Sequence, residues 1–353
     1  RTWSSIIKKF FGAINLSEQE IINKLKKNQN IGQNESTLFL RSVFNGDVKQ
    51  EVLTEILILL NKKGITSNEL TGFAQSMREV SKKVITNKDV VDNCGTGGDG
   101  IGTFNISTTT SFIAAACGVP IAKHGNKAIT SKSGSADALT EAGANINLSP
   151  EQIAKCIESI NLGFMFAPLH HQAMKHVVES RKKIAPEKTI FNLLGPLTNP
   201  ANSKIQLIGV YDKEKVLLVA ESLKNLGTKR AMVIHSEDGL DEISVFNNTY
   251  VTEINNSNLM SYTINPNDYG LINGNISDII VSNTSESLSM MESVFNNNEG
   301  PALNICIINA AALLYISGTE KDLKSATTTC RNAVKEGKAK QKFEEFITFT
   351  NNV

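Results

Sequence analysis

Apolar positions recur every three or four residues through the first quarter of the chain, the period of an amphipathic helix. Four stretches carry it: "SEQEIINKLKKNQ" (17–29), "NESTLFLRSVFNG" (34–46), "DVKQEVLTEILILLNKKG" (47–64) and "TSNELTGFAQSMREVSKKV" (66–84). Ser17 and Glu20 open the first, and Thr66 and Glu69 open the last, each with the spacing of a reciprocal N-terminal cap. The middle two stop at Gly46 and Gly64, residues suited to ending a helix. These patterns predict a small helical domain.

Near residue 88 the texture changes. "KDVVDNCG" reads as a strand, "STTTSFIAAACG" as a helix, "VPIAKHG" as a strand and "SADALTEAG" as a helix. "ANINL" (144–148) reads as another strand, and "SPEQIAKCIESINLG" as a helix with Pro150 in its first turn. The order repeats in "KIQLIGVYD", "KEKVLLVAESLKNLG" and "KRAMVIHS", and residues 284–353 are helical again. Alternation of this kind predicts an α/β fold with a mostly parallel central sheet flanked by helices. The expected division is an N-terminal extension (1–15), a helical domain (16–85, joined by the region near 175–195) and a larger α/β domain (86–353). Ligands of open α/β sheets collect beyond the carboxyl ends of the strands. The segments 94–108, 123–135, 166–181 and 236–244 are therefore the candidates for a site.

Charge changes the picture little. The chain has 353 residues, with 36 basic and 35 acidic side chains, so nothing global favours nucleic acid or a membrane surface. An anion site must be local. The longest aliphatic run, "EILILL" (55–60), is half of an amphipathic helix and far short of a membrane span. Five widely spaced cysteines without a CxxC pair argue against a disulfide framework or a zinc site and for a reducing, cytoplasmic setting. The start, "RTWSSIIKKFFGAINL", is basic and amphipathic; a trimmed or extended terminus explains it more simply than a transit-peptide remnant.

The chemistry concentrates in "DNCGTGGDGIGTFNIST" (92–108), with five glycines between Gly95 and Gly102. By letter, Gly95 to Gly100 match the dinucleotide motif GxGxxG, but that site needs an acid about 20 residues on. No Asp or Glu follows Asp99 before Asp137, and the GxxxxGK[ST] spacing of a P-loop is missing too. Over 100–136 the charged side chains are Lys123, Lys127 and Lys132, set among hydroxyls and amides beside His124. Lysines, hydroxyls and exposed main-chain N–H groups without carboxylates make a polyanion cradle, which the helix start after "NIST" reinforces.

Four ordered motifs, "GTGGDGIGTFNIST" (95–108), "KHGNKAITSKSGSAD" (123–137), "FAPLHHQAMKHVVESR" (166–181) and "TIFNLLGPLTNP" (189–200), resemble the anthranilate phosphoribosyltransferases of tryptophan biosynthesis. "DGLDEIS" (238–244) and "NAAALLY" (309–315) fit the same family, so the resemblance spans about residues 16–350. It implies transfer of a phosphoribosyl group from 5-phosphoribosyl 1-diphosphate to anthranilate, with Mg²⁺ and with release of diphosphate. By that resemblance Gly95, Gly98, Asp99 and Thr103 line the phosphoribosyl diphosphate site, and Asn105, Ile106, Ser107 and Thr108 hold its diphosphate. Lys123, His124, Gly125, Asn126, Lys127, Ala128, Ile129, Thr130, Ser131 and Ser135 contact its ribose and phosphates. Ser107, Asp241 and Glu242 reach the metal; read alone, "DGLDE" is a solvated turn. Gly95, His124, Asn126, His171 and Arg181 surround anthranilate, whose carboxylate suits a planar arginine fork. The resemblance also implies a homodimer through the helical domains and an active site in the cleft between domains.

No residue is assigned as a general base, because an aromatic amine is already neutral near pH 7. His170 and His176 read as packed or exposed helix residues, and Cys94 as a small buried residue. Gln172 stands where the family usually has proline, and "IAPEKT" (184–189) is one residue longer than the usual "LGxRT", with Lys188 for arginine. Lys127 and Thr130 replace a more frequent arginine and serine. A pyrimidine-nucleoside phosphorylase of the same fold reads "KHS" where this chain has "KHGN" and lacks the acid pair. A non-catalytic nucleic-acid-binding relative fits neither the charge of +1 nor the intact Asp99, Ser107, Arg181, Asp241 and Glu242.

Overall fold

A computed structural model describes residues 17–128, 132–271 and 274–353; the N-terminal extension expected over 1–15 lies outside them. The four opening helices are Glu18–Lys26, Gln33–Asn45, Gln50–Lys63 and Ser67–Val80. Ser17/Glu20 and Thr66/Glu69 both form the reciprocal cap that their spacing predicts, and Gly46 ends its helix in the left-handed region. One buried acid ties this bundle together. Glu69 accepts Lys63 Nζ at 3.0 Å and the Ile31 amide at 3.0 Å.

Seven strands form one sheet in the order β3-β2-β1-β4-β5-β6-β7. They are β1 (Val91–Asp92), β2 (Ile121–Gly125), β3 (Leu162–Phe166), β4 (Ile205–Gly209), β5 (Arg230–Ser236), β6 (Thr249–Asn255) and β7 (Asn258–Ile264). β1 to β5 run parallel, and β6 and β7 add an antiparallel hairpin at one edge. The chain leaves β1 for β2 and β3 on one side, then returns to β4 and β5 on the other. The β1/β4 junction is thus the topological switch point, where a crevice opens beyond the carboxyl ends.

Side chains alternate across this sheet and divide the core in two. Leu207, Met232 and Ile234 face the core under the C-terminal helices, whereas Ile208, Ala231 and Val233 face the one shared with the helical bundle. Helix Lys215–Asn225 sits between sheet and bundle, and Val177, Ile184, Phe191 and Leu194 join the same apolar core. On the other face helix Ile106–Ala116 is anchored by Phe112. Its ring meets Phe295, Phe343 and Phe346 edge-on at centroid distances of 5.8, 5.0 and 5.5 Å. Edge-on pairs add about 0.5–1.5 kcal/mol each beyond burial, so the helix that opens at "NIST" is firmly seated.

One local expectation needs correction. "ANINL" is not a strand: Ala144, Ile146 and Leu148 are buried in alternation, but Asn145 N–H donates to Thr350 Oγ1 at 3.2 Å rather than to a ladder. The alternation records contact with the C-terminal helix. The β6–β7 hairpin, in turn, was not read from the sequence. It turns at Asn256 and Ser257, with φ of 46° and 72°, the left-handed pair of a tight hairpin turn.

Candidate active site

β1 is only two residues long and releases the glycine loop at the centre of the sheet. Gly97 and Gly98 both have positive φ, 62° and 78°, which turns the Gly98 carbonyl outward to accept Lys188 Nζ at 2.7 Å. Gly95 is bare for another reason: a Cβ there would stand 2.7 Å from Asp241 Oδ2. The loop is tied at its base. Thr96 N–H donates to Gly209 O at 2.8 Å, Gly97 N–H to Asp241 Oδ2 at 2.9 Å, and Tyr211 N–H to Thr96 Oγ1 at 3.1 Å.

Below the loop lies a buried cation. Lys123, on β2, is 3 % exposed and donates to Asn93 O at 3.1 Å and Ser107 Oγ at 3.2 Å. Asn93 completes this layer, donating to Ser107 O at 2.6 Å and accepting from Ser111 Oγ at 2.8 Å. Ser107 in turn directs its main-chain N–H to Glu242. Ser107, Asp241 and Glu242, expected together from the resemblance, are therefore brought together here.

The acids are crowded. Burial and then the nearby Asp99 push Asp241 up to about 7, and burial and then Asp241 push Glu242 well above the usual carboxylate range. Asp99 is also raised, chiefly by burial, and its Oδ1 accepts the Ile101 amide at 3.2 Å. Among the described residues no three acids, histidines or cysteines form a closed metal cage. Two carboxylates and a hydroxyl suit instead a hard cation that takes its remaining oxygens from phosphate and water.

The other expected contacts divide into three groups. Asn105 spends its side chain within the protein: Oδ1 accepts from Ser133 Oγ at 2.8 Å and Ser287 Oγ at 2.7 Å, and Nδ2 donates to Ser133 O at 3.2 Å. Ile106 is a core side chain, and Thr108 is buried with its hydroxyl unpartnered among the described residues. Thr103 pairs its backbone with Ile280. In the second loop, Gly125 packs against Ser135, where a Cβ would meet the hydroxyl at 2.3 Å. Ser135 Oγ donates to Asn126 O at 3.3 Å, Lys127 N–H to Asn126 Oδ1 at 2.8 Å, and Ala128 N–H to Asp137 Oδ2 at 2.7 Å. Ile129, Thr130 and Ser131 lie outside the described residues.

The third group is aromatic and basic. His124 and His171 stand edge-to-face with ring centroids 5.1 Å apart. His124 Nδ1 lies 3.1 Å from Gly195 O, while among the described residues His124 Nε2 and both nitrogens of the buried His171 have no hydrogen-bond partner. Burial, reinforced by His170 and Lys123, lowers His124 to about 4, and burial, reinforced by His124 and His170, lowers His171 to about 2, so both rings are neutral near pH 7. Arg181 lies half-buried, 5.9 Å above the Phe191 ring, and no carboxylate pairs with it among the described residues. His170, read as a helix residue, is buried with Nδ1 2.8 Å from Lys82 O, and burial keeps the Cys94 thiol protonated.

Three contributors escaped the sequence reading. A Cβ on Gly209, at the end of β4, would fall 1.6 Å from Asp241 O. Asp92 accepts the His124 amide at 3.1 Å, and burial raises it to about 6; an acid directly after the apolar pair Val90–Val91 was the available signal. Asn309, in helix Pro301–Ser317, accepts the Ile243 amide and donates to Ile243 O, both at 2.9 Å, fixing the residue next to Glu242.

Comparison with known proteins establishes the family. Residues 19–81 match the helical bundle domain of the glycosyl transferase family, and residues 87–340 match its a/b domain. The anthranilate phosphoribosyltransferase of Ruthia magnifica is 44% identical over 331 residues, covering 93% of this chain and 97% of that protein. That of Acetivibrio thermocellus is 41% identical over 335 residues, covering 95% and 97%. The crystal structure of the Thermus thermophilus enzyme superposes with a TM-score of 0.88 at 31% identity, covering 94% of this chain and 99% of that one. A Saccharomyces cerevisiae enzyme in complex with PRPP and Mg shares the fold, with a TM-score of 0.84 at 23% identity. The chain belongs to the anthranilate phosphoribosyltransferase family.

Proposed function

We propose that the protein transfers the phosphoribosyl group of 5-phosphoribosyl 1-diphosphate to the amine of anthranilate, a step of L-tryptophan biosynthesis. One observation carries the reading. A glycine loop, the first turn of helix Ile106–Ala116, a buried lysine and an acid pair converge at the switch point of the sheet. The bond from the ribose anomeric carbon to the diphosphate oxygen breaks, and its electron pair leaves with diphosphate. The anthranilate nitrogen forms the new bond to that carbon and loses a proton to solvent.

Leaving-group stabilisation is the main task. The main-chain amides of the glycine loop and of Thr108, with Lys123 and Lys127, supply fixed positive charge where the negative charge grows. Asp241, Glu242 and Ser107 would hold Mg²⁺, which when bound neutralises phosphate charge and orients the leaving group. The crowding of Asp241, Glu242 and Asp99 fits that ion, since a divalent cation relieves their mutual repulsion. Arg181, without an acid partner among the described residues, takes the anthranilate carboxylate, and the neutral His124 and His171 border the ring with Asn126. No general base is required.

A homodimer through the helical segments, with Ile58 48% exposed on one face, and a cytoplasmic setting, supported by five free thiols, belong to the same reading. The direct test mixes purified protein with anthranilate, 5-phosphoribosyl 1-diphosphate and Mg²⁺ and follows anthranilate fluorescence. Loss of fluorescence that needs all three additions is the expected result; a signal that stays flat refutes the assignment.

A further inference from the structure

Every tie at the base of the glycine loop described above comes from the α/β domain, with one exception. Lys188 reaches it from the 185–190 segment. Its ammonium donates to Gly98 O at 2.7 Å and lies 3.3 Å from the centroid of the Tyr211 ring. Its charge is felt by Asp99 and Asp241. The other end of the same residue is held by the helical domain: Asn61 Nδ2, in helix Gln50–Lys63, donates to Lys188 O at 2.5 Å. A single residue thus spans from the helical domain to the glycine loop, where, among the described residues, a Cβ added at Gly97 or Gly100 would meet nothing within 4 Å.

We propose that Lys188 is a positioning residue, a clamp that joins the helical domain to the glycine loop and holds the loop in its substrate-receiving shape. The ring of Tyr211 confines the ammonium, which favours an aromatic face. The flanking acids keep a cation preferred at this spot. Tyr211 also fastens Thr96 through its own amide, which ties the backbone that carries the ring to the loop. A charge-assisted hydrogen bond at a solvent-facing position shifts a local equilibrium by roughly fivefold, equivalent to about 1 kcal/mol. This role rests on the reading of residues 95–108 as the phosphoribosyl diphosphate site, because the loop must be shaped for something.

The test uses the whole ligand-free protein and measures hydrogen exchange by mass spectrometry in wild type, Lys188→Met, Lys188→Arg and Asn61→Ala. Peptides covering 95–102 should exchange about fivefold faster in Lys188→Met and Asn61→Ala, return towards wild type in Lys188→Arg, and leave peptides of β4 unchanged. In turnover assays Lys188→Met should raise the KM for 5-phosphoribosyl 1-diphosphate by a similar factor with kcat within about twofold. Unchanged exchange at 95–102 in Lys188→Met overturns the clamp. So does faster exchange with an unmoved KM, provided the wild type turns the substrate over. A wild type that does not use the substrate refutes the reading of the site instead, and the exchange comparison still decides whether Lys188 holds the loop.

Discussion

Two loops meet at the mouth of this sheet, and they are built on opposite principles. The loop after β1 is glycine-rich, turns through four glycines of positive φ (Gly97, Gly98, Gly100 and Gly102) and offers main-chain amides. The loop after β5 offers carboxylates and is bolted down. Asn309 pairs with both main-chain groups of Ile243, Ser244 N–H donates to Thr249 Oγ1 at 3.0 Å, and the Asp238 carboxylate collects the hydroxyls of Ser236 and Ser244. The lesson concerns cost. Carboxylates that repel one another keep their places only when the backbone beneath them is over-determined, whereas amides aimed at a phosphate can adjust as it arrives.

The strongest way to break the contrast is Gly209→Ala. Its new methyl group overlaps the Asp241 main chain, so the acid loop must shift by about an ångström, and activity should fall by roughly 100-fold or more. Steady-state kinetics alongside a circular dichroism spectrum checks that the loss is local. Asn309→Leu comes next: it strands the Ile243 amide and carbonyl in the core, at about 1–3 kcal/mol each, visible as a lower midpoint in urea unfolding.

The histidine pair gives a smaller, pH-dependent effect. His124 and His171 have folded values of about 4 and about 2, below their ordinary range, so the unfolded chain binds protons first as pH falls. Stability is complete above about pH 6.5 and should decline below it by up to about 1.4 kcal/mol per pH unit for each histidine. Urea unfolding at pH 7.5 and pH 5 should show that loss in wild type and a reduced loss in His171→Gln. The smallest change is Gly100→Ala. The added methyl meets nothing within 4 Å, so only the backbone conformation at φ 77° is penalised, by about 1 kcal/mol. A few-fold rise in the KM for the phosphoribosyl donor, with kcat intact, would mark the loop as adjustable.

The sequence announced what repeats or punctuates. Caps at Ser17 and Thr66, the strand–helix alternation and the acid-free run after Asp99 each rest on neighbours in the chain, so they could be read directly. What it concealed depends on distant partners. Gly209 is an ordinary strand residue until Asp241, 32 positions on, is folded against it. Lys188 is a surface lysine until Gly98 O lies 2.7 Å away. The burial alternation in "ANINL" misled because it reports a packed face, and a packed face does not require a ladder partner. The β6–β7 hairpin had a usable signal in the alternating flanks of Asn256 and Ser257, but Asn-Ser is a weaker turn pair than Asn-Gly.

The central claim is that the glycine loop, Lys123 and the Asp241–Glu242 pair together receive a magnesium-bound diphosphate. Calorimetric titration of 5-phosphoribosyl 1-diphosphate into wild type, Asp241→Asn/Glu242→Gln and Arg181→Ala, each with and without Mg²⁺, tests it most directly. The account expects tight, Mg²⁺-dependent binding in wild type and in Arg181→Ala, and weakening by about tenfold or more in the acid-pair variant. Equal affinity in all three proteins, with no response to Mg²⁺, would contradict it.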